Sequence, residues 1–200
     1  VTLALVGTQS CSDEVDPRLD ENTFTKIYDN NKFASAYKPI SIQQTADGGY
    51  LILASRTLQD SNYAGIYLMK VDSKGGFESE LEVDPLYVNP VGDLMKIGEQ
   101  FYFFCMEEVS LATQLVQTDA SLGLTFTPVG LTYPSAAALD GSSFILQTYH
   151  HEDKLTELSL VNTSGGILAS KGFSIGVGDD IDEPLINSFL KGGKPFPYSV

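Results

Sequence analysis

The chain of 200 residues has no tryptophan, two cysteines and two histidines, and its 12 basic residues are outnumbered by 26 acidic ones. The formal net charge of −14 has the same sign as the backbone of DNA and RNA, so we set nucleic-acid binding aside as a function. No apolar run reaches the roughly 18 residues needed to span a bilayer. An acidic surface also disfavours electrostatic adhesion to anionic lipid. Attachment to a membrane would therefore need a route other than a spanning helix or surface charge.

Common catalytic motifs are absent as well. The sequence contains no G-x-S-x-G, no phosphate-binding loop, no evident Cys/His dyad and no sialidase-type Ser-x-Asp-x-Gly-x-Thr-Trp turn. We therefore predict no catalytic residue and no cofactor.

The two cysteines have separate explanations. Cys105 lies in the apolar run "FYFFCME", where a free thiol behaves as a small buried hydrophobe. Cys11 follows "VTLALVGTQS", which is typical of the end of an apolar signal region followed by small residues. A disulfide between them would need an oxidising compartment, and we expect none.

The segment around Cys11 resembles the cleavage site of bacterial lipoproteins, in which the cysteine becomes the lipidated first residue. The three residues that follow, Ser12, Asp13 and Glu14, resemble the acidic export signal of Bacteroidetes surface lipoproteins. The resemblance implies a lipid anchor on Cys11 and a location on the outer face of the outer membrane. The alternative is an ordinary disordered acidic tail with an incidental cysteine.

These signals divide the N-terminal region into two parts. Residues 1–10 are interpreted as the remainder of a signal peptide, and residues 11–22 as a lipidated flexible tether. The tether is predicted to be flexible because it is polar and charged and has little to bury.

The rest of the chain, residues 23–200, is a repeat. Pro39, Pro90, Pro134 and Pro184 are separated by 51, 44 and 50 residues, since 90−39, 134−90 and 184−134 give these spacings. A second landmark, a polar turn at Asp72, Asp119 and Asn162, recurs at 47 and 43 residues. Two landmarks with matching periods predict a repeated structural unit.

Each unit has the composition of a small antiparallel sheet. In "SIQQTADGGYLIL", Asp47-Gly48-Gly49 supplies a tight turn between two runs of strand length. Three clear strands and a weaker fourth per unit are typical of a propeller blade. We predict an all-β protein: a β-propeller of four-stranded antiparallel blades, with units starting near 37, 87, 131 and 181 and about three and a half blades in this chain.

The segment from Phe24 to Gly76 resembles the repeats of secreted and surface Bacteroidetes β-propellers, which read "SIQQTxDGGYI" followed by "YLxKxDxxG". The tryptophan that often follows the last turn of these repeats is replaced here by Phe77. The resemblance implies a fold and no particular activity. Because a single outer strand, "TFTKIY", remains at one end and a unit that stops in its second strand at the other, we expect these residues to be the N-terminal part of a longer chain, truncated at both ends, with "TFTKIY" completing the last blade.

Two groups of side chains are weak candidates for a metal site. "TYHHEDKL" contains the two histidines, but adjacent strand residues point to opposite faces, so a polar hairpin tip is the simpler interpretation. The acidic loop "GVGDDIDEP" does not match the spacing of a calcium loop. The candidate residues are His150, His151, Asp179, Asp180 and Asp182.

Two hypotheses for function follow. The first is a surface-exposed outer-membrane lipoprotein whose propeller is a non-catalytic scaffold that binds a surface protein or a glycan, as an accessory to an outer-membrane complex. The second is a surface glycan-degrading enzyme that uses carboxylates at one propeller face, for which Glu107 and Glu108 are a carboxylate pair to consider. The tyrosines offer stacking surfaces, although packing between strands explains most of them. We favour the first hypothesis.

Overall fold

The structure, a computed structural model, describes residue 28 and residues 36–59, 61–150 and 153–174. This part of the chain forms strands that follow one another along the sequence: β1 (Tyr37–Gln44), β2 (Tyr50–Thr57), β3 (Ala64–Val71), β4 (Phe77–Glu82), β5 (Tyr87–Ile97), β6 (Gln100–Glu107), β7 (Ala112–Thr118), β8 (Leu124–Thr132), β9 (Pro134–Asp140), β10 (Ser143–His150), β11 (Leu155–Asn162) and β12 (Ile167–Ser174).

The described residues contain no helix, so the predicted all-β class is confirmed for this part of the chain. It follows that these residues include no helix long and apolar enough to cross a membrane.

The strands pair as three consecutive antiparallel meanders, which we call the first (β1–β4), second (β5–β8) and third (β9–β12) meander. The first two are joined by one residue pair, Gly65 of β3 with Val88 of β5, and so form a single eight-stranded hydrogen-bonded sheet. The third meander is a separate four-stranded sheet. The meanders begin at Tyr37, Tyr87 and Pro134, whereas the unit predicted near 181 lies outside the described residues.

The predicted turn at Asp47-Gly48-Gly49 is present. The Thr45 amide donates to the Gly49 carbonyl over 2.9 Å, and β1 and β2 pair directly on either side, from Gln44 opposite Tyr50. Alternating Leu51 and Leu53 then point to one face of β2 and are completely buried. Local turn chemistry therefore sets the register, and the register decides which side chains enter the core.

The turn between the third and fourth strands also has a similar geometry in the three meanders. At Asp72 and Asn162, the side-chain Oδ1 accepts from the amide four residues later, at 2.6 Å and 2.8 Å. The Oδ1 of Asp119 accepts from the Ser121 amide at 2.8 Å. The fourth residue of this turn has a positive φ, which suits glycine, yet in the second meander it is Leu122, with φ of 64°.

The main core lies between the meanders. Residues of two strands of the first meander pack against alternate residues of β6, Phe101, Phe103 and Cys105; they are Leu51 and Leu53 of β2 and Ile66 and Leu68 of β3. The burial predicted for Cys105 is thus confirmed, since its exposed fraction is 0%.

The intervening residues of β6 point the other way. Tyr102 and Phe104 pack against Phe144, Leu146 and Val161 of the third meander. The second meander thus presents one face to the first meander and the other face to the third.

The first strands of successive meanders also lie close together. Lys96 of β5 donates through Nζ to the Gln44 carbonyl of β1 at 3.0 Å. Gly92 of β5 lies against Ala137 of β9, so that a Cβ at position 92 would be 2.8 Å from the Ala137 Cβ. These contacts set the three first strands side by side along one edge of the stack.

Candidate functional site

Because the strands alternate in direction, the links between them fall at two ends of the stack. One end, the turn end, carries the tight turns at 45–49, 72–76, 119–123 and 163–166. The other, the connection end, carries the segments 58–63, 83–86 and 108–111, residue 133 and the described part of the β10–β11 link. The repeated, motif-like turns therefore share one end, and the irregular links share the other.

The turn end is a scaffold, and its most polar cluster is structural. The Lys70 side chain is only 3% exposed, and its Nζ lies 3.0 Å from both Asp47 Oδ2 and Glu78 Oε2. Asp47 Oδ1 also accepts from the Thr45 hydroxyl and from the Gly49 amide. The buried ammonium thus ties the first turn to β3 and β4.

The charges of this cluster stabilise one another. Hydrogen bonds from Thr45 and then Lys70 hold the pKa of Asp47 well below its usual range. Burial lowers the pKa of Lys70, but its hydrogen bonds to Asp47 and Glu78 outweigh burial, so the pKa is raised overall. The cluster is thus an ion-pair network in which one buried ammonium is shared by two carboxylates.

The connection end concentrates backbone strain. Asn89, Leu111, Tyr133 and Lys154 have φ of 52°, 60°, 48° and 52°, values that residues other than glycine rarely adopt. Of the non-glycine residues with positive φ in the described ranges, only Leu122 lies at the turn end. Strain of this kind costs on the order of 1–3 kcal/mol per residue and clusters at functional sites, which makes this end the candidate site.

At the centre of the connection end, a loop of the first meander meets a turn of the second. The Ser61 hydroxyl donates to Glu108 Oε1 at 2.5 Å, and the Tyr63 amide donates to Ser61 Oγ at 3.0 Å. The Glu108 amide donates to the Leu86 carbonyl at 2.8 Å. Glu108 therefore joins three separate segments, through its carboxylate to Ser61 and through its backbone amide to Leu86.

Aromatic side chains line this region. Burial, together with the charges of Tyr133 and Glu108, raises the pKa of Tyr63 to about 12, so its phenol stays protonated and can donate. Tyr133 lies against Tyr149 with ring centroids 6.4 Å apart, and the Tyr149 amide donates to the Tyr133 carbonyl at 3.1 Å. Leu111 packs in the same apolar cluster.

The tip of the β6–β7 turn is open to solvent. Val109 is 81% exposed, and Leu86 on the adjoining link is 38% exposed. The neighbouring Glu107 accepts from the Ser110 hydroxyl at 2.7 Å. The end thus offers carboxylates, half-buried phenols and exposed aliphatic groups, which together suit the polar and apolar faces of a sugar or a protein side chain.

The two carboxylates considered for hydrolysis have different hydrogen-bond partners. Glu108 accepts a hydrogen bond from the Ser61 hydroxyl, and Glu107 accepts one from the Ser110 hydroxyl. A glycoside hydrolase needs two carboxyl groups that converge on one bond. The hydrogen bonds of Glu107 and Glu108 lead to separate partners and show no such convergence.

Of the predicted metal candidates, only His150 is described. It is the last residue of β10, and its Nδ1 lies 3.4 Å from Asp153 Oδ2, with both side chains substantially exposed. Within the described ranges, no three His, Cys, Asp or Glu side chains come together as a metal site.

The remaining predicted residues lie outside the described part of the chain: His151, Asp179, Asp180, Asp182, the lipidation residue Cys11 and the export signal Ser12, Asp13 and Glu14.

Sequence reasoning missed Ser61 and Asn89 as members of this end. Ser61 contacts Glu108 across 47 residues, and neither position belongs to the repeated motif. Asn89 is 3% exposed with a positive φ, and its Nδ2 has no hydrogen-bond partner among the described residues. The sequence offers one indirect indication of this end, because its links are the parts of the chain that do not follow the repeat pattern.

Comparison with known proteins gives no family assignment. No protein-family model matches the chain, and no curated protein matches it.

Several solved structures are similar in part. The β-propeller domain of the Trilobed protease from Pyrococcus furiosus is 9% identical with a TM-score of 0.47, over 70% of this chain and 44% of that one. A protein of unknown function from Bacteroides caccae is 13% identical with a TM-score of 0.39, over 72% and 47%. A Synechocystis apocarotenoid oxygenase variant is 9% identical with a TM-score of 0.40, over 68% and 38%. This chain spans less than half the length of each.

Proposed function

We propose that this chain is a surface-exposed outer-membrane lipoprotein, anchored through Cys11, whose meanders are blades of a β-propeller that binds a surface protein or a glycan without catalysing a reaction. The proposed location rests on the resemblance of Cys11 and the acidic residues after it to lipoprotein signals. The propeller rests on the repeat and on the face-to-face packing of four-stranded meanders.

The binding surface of this scaffold is the connection end. The observation that carries the proposal is the segregation of features: turn chemistry occupies one end, whereas strained links, phenols and the Ser61–Glu108 contact occupy the other. Binding residues are disproportionately found on loops held by a rigid scaffold. The exposed Val109 lies at the tip of this end.

A pair of matched variants tests the binding surface. Val109→Asp and Ser73→Asp each add one carboxylate to an exposed turn, the first at the connection end and the second at the turn end. In capture from outer-membrane extracts and on glycan arrays, we expect Val109→Asp to lower retention of the partner at least tenfold and Ser73→Asp to leave it unchanged. Equal retention by the two variants contradicts the assignment of this end.

The anchor and the absence of catalysis have their own tests. A Cys11→Ala form of the full-length protein is expected to leave the membrane fraction. If it partitions as the unsubstituted protein does, the proposed lipid anchor is wrong.

The absence of catalysis is tested with a surface polysaccharide as substrate. Cleavage that is lost in Glu108→Gln would contradict the non-catalytic scaffold and support the glycan-degrading enzyme.

A further inference from the structure

The third meander presents an apolar face that no described residue covers. On β10, Phe144 and Leu146 point to the second meander and are completely buried, so Ile145 between them points to the opposite face. Register places Leu160 opposite Ile145 and Leu158 opposite Gln147. We call this the far face; its apolar residues are Ala138, Ile145, Leu158, Leu160 and Ala169, and Gln147 and Lys171 lie on the same face.

The corresponding faces of the other meanders are covered. In the first meander this face carries Leu51 and Leu53, each 0% exposed beneath the second meander. In the second it carries Phe104, also 0% exposed, beneath the third. In the third meander, Ile145 is 43% exposed and Leu158 is 38% exposed. The far face thus has the composition of a buried face without a partner among the described residues.

A second copy of the chain fits this face poorly. A head-to-tail contact would require the opposite face of its first meander, which carries Ala54, Tyr67 and Met69. Those side chains are already buried, with 3%, 7% and 7% exposed, so that face is not open to receive a partner. This burial argues against a head-to-tail copy as the occupant, and the crosslinking experiment below separates a face-to-face dimer from a segment of the same chain.

We propose that residues 184–200, the fourth copy of the repeat, cover the far face. This segment begins 50 residues after Pro134, which is within the spacing of the earlier copies, and contains Leu185, Ile186, Phe189 and Leu190. In each earlier pair of neighbours, the later meander in the chain covers this face of the earlier one. The inference concerns the fold and does not depend on the proposed binding function.

The chain is long enough to reach. β12 ends at Ser174, so residues 175–183 precede the fourth copy. An extended chain of that length spans up to about 30 Å. Crossing from the outer strand β12 back to the side of β9 requires three strand spacings, about 15 Å. The linker therefore permits the same return that residues 83–86 make between β4 and β5.

Thiol accessibility in the 200-residue chain tests whether the far face is covered. In a Cys11→Ser background, where Cys105 is buried, Leu158→Cys reports on the far face and Thr163→Cys reports on an exposed turn of the same sheet. We expect Cys-specific labelling at position 158 to be at least tenfold slower than at 163, at all protein concentrations. Equal rates at the two positions would falsify the proposal.

A photo-crosslink identifies the occupant. With Leu158→p-benzoylphenylalanine, we expect an intrachain crosslink that peptide mapping assigns to residues 184–200. A crosslink between two chains, or one to any segment before residue 36, overturns the proposal even if position 158 is protected.

Discussion

The packing of the third meander on the second can be tested by substituting one aromatic residue, Phe144. Phe144 is completely buried, with its ring centroid 5.6 Å from that of Phe104 and 5.3 Å from that of Tyr102. A Phe→Ala change in a core costs about 3–5 kcal/mol, and each aromatic pair contributes about 0.5–1.5 kcal/mol beyond buried area. We therefore expect Phe144→Ala to lower the free energy of unfolding by about 4–5 kcal/mol.

The chain offers a control with the same substitution. Phe77 lies on β4 and is 57% exposed, so Phe77→Ala should cost less than about 1 kcal/mol. With a urea dependence of about 2 kcal/mol per molar, the midpoints of the two variants should differ by roughly 2 M.

Urea unfolding can be followed by far-UV circular dichroism and by tyrosine emission, because the chain has no tryptophan to mask it. If the two variants lose the same stability, or if Phe144→Ala loses less than about 1.5 kcal/mol, the third meander is not packed on the second through this ring.

Three further outcomes are expected. Leu122→Gly relieves the strain of a φ of 64° but removes a side chain that is only 8% exposed. Because the lost burial outweighs the relieved strain, we expect the free energy of unfolding in chemical denaturation to fall by about 1–2 kcal/mol. A gain in stability would contradict this balance. The folded-state pKa of Asp47 is depressed below the ordinary value of 3.8, so its contribution is present above about pH 4 and lost as the pH falls toward the folded-state pKa. Asp47→Asn should flatten the fall in melting temperature between about pH 4 and pH 2, and an unchanged profile would show that the network adds nothing. Burial raises the pKa of Cys105, so a thiol reagent should leave Cys105 unlabelled in native protein and reach it only after unfolding; rapid native labelling at Cys105 would place it at the surface.

The strand framework was predictable because its determinants are local. Asp47-Gly48-Gly49 and the turn at Asp72 specify tight links through their own backbone geometry and side-chain hydrogen bonds, and the runs between them have strand composition. Because these turn and strand patterns recur at near-constant spacing, together they predict the strands more strongly than a single copy does. The burial of Cys105 followed from the apolar run around it.

The connection end could not be predicted in the same way. The contact between Ser61 and Glu108 joins two non-repeating segments, and no local rule brings them together. The positive φ at Tyr133 and Leu122 runs against residue preference, since a bulky side chain disfavours that conformation unless tertiary packing compensates. Lys70 stood in the repeat motif, but its role as a buried ammonium between two carboxylates depends on how β3 and β4 pack.

The approach of Gly92 to Ala137 has a consequence for the shape of the whole stack. With no Cβ at 92, the first strands of the second and third meanders approach each other closely, and an added Cβ would lie 2.8 Å from both the Cβ and the carbonyl oxygen of Ala137. A side chain at this point would act as a wedge at the narrow edge and open the angle between the two sheets. The tilt of the third meander on the second is therefore set in part by the absence of one methyl group at position 92.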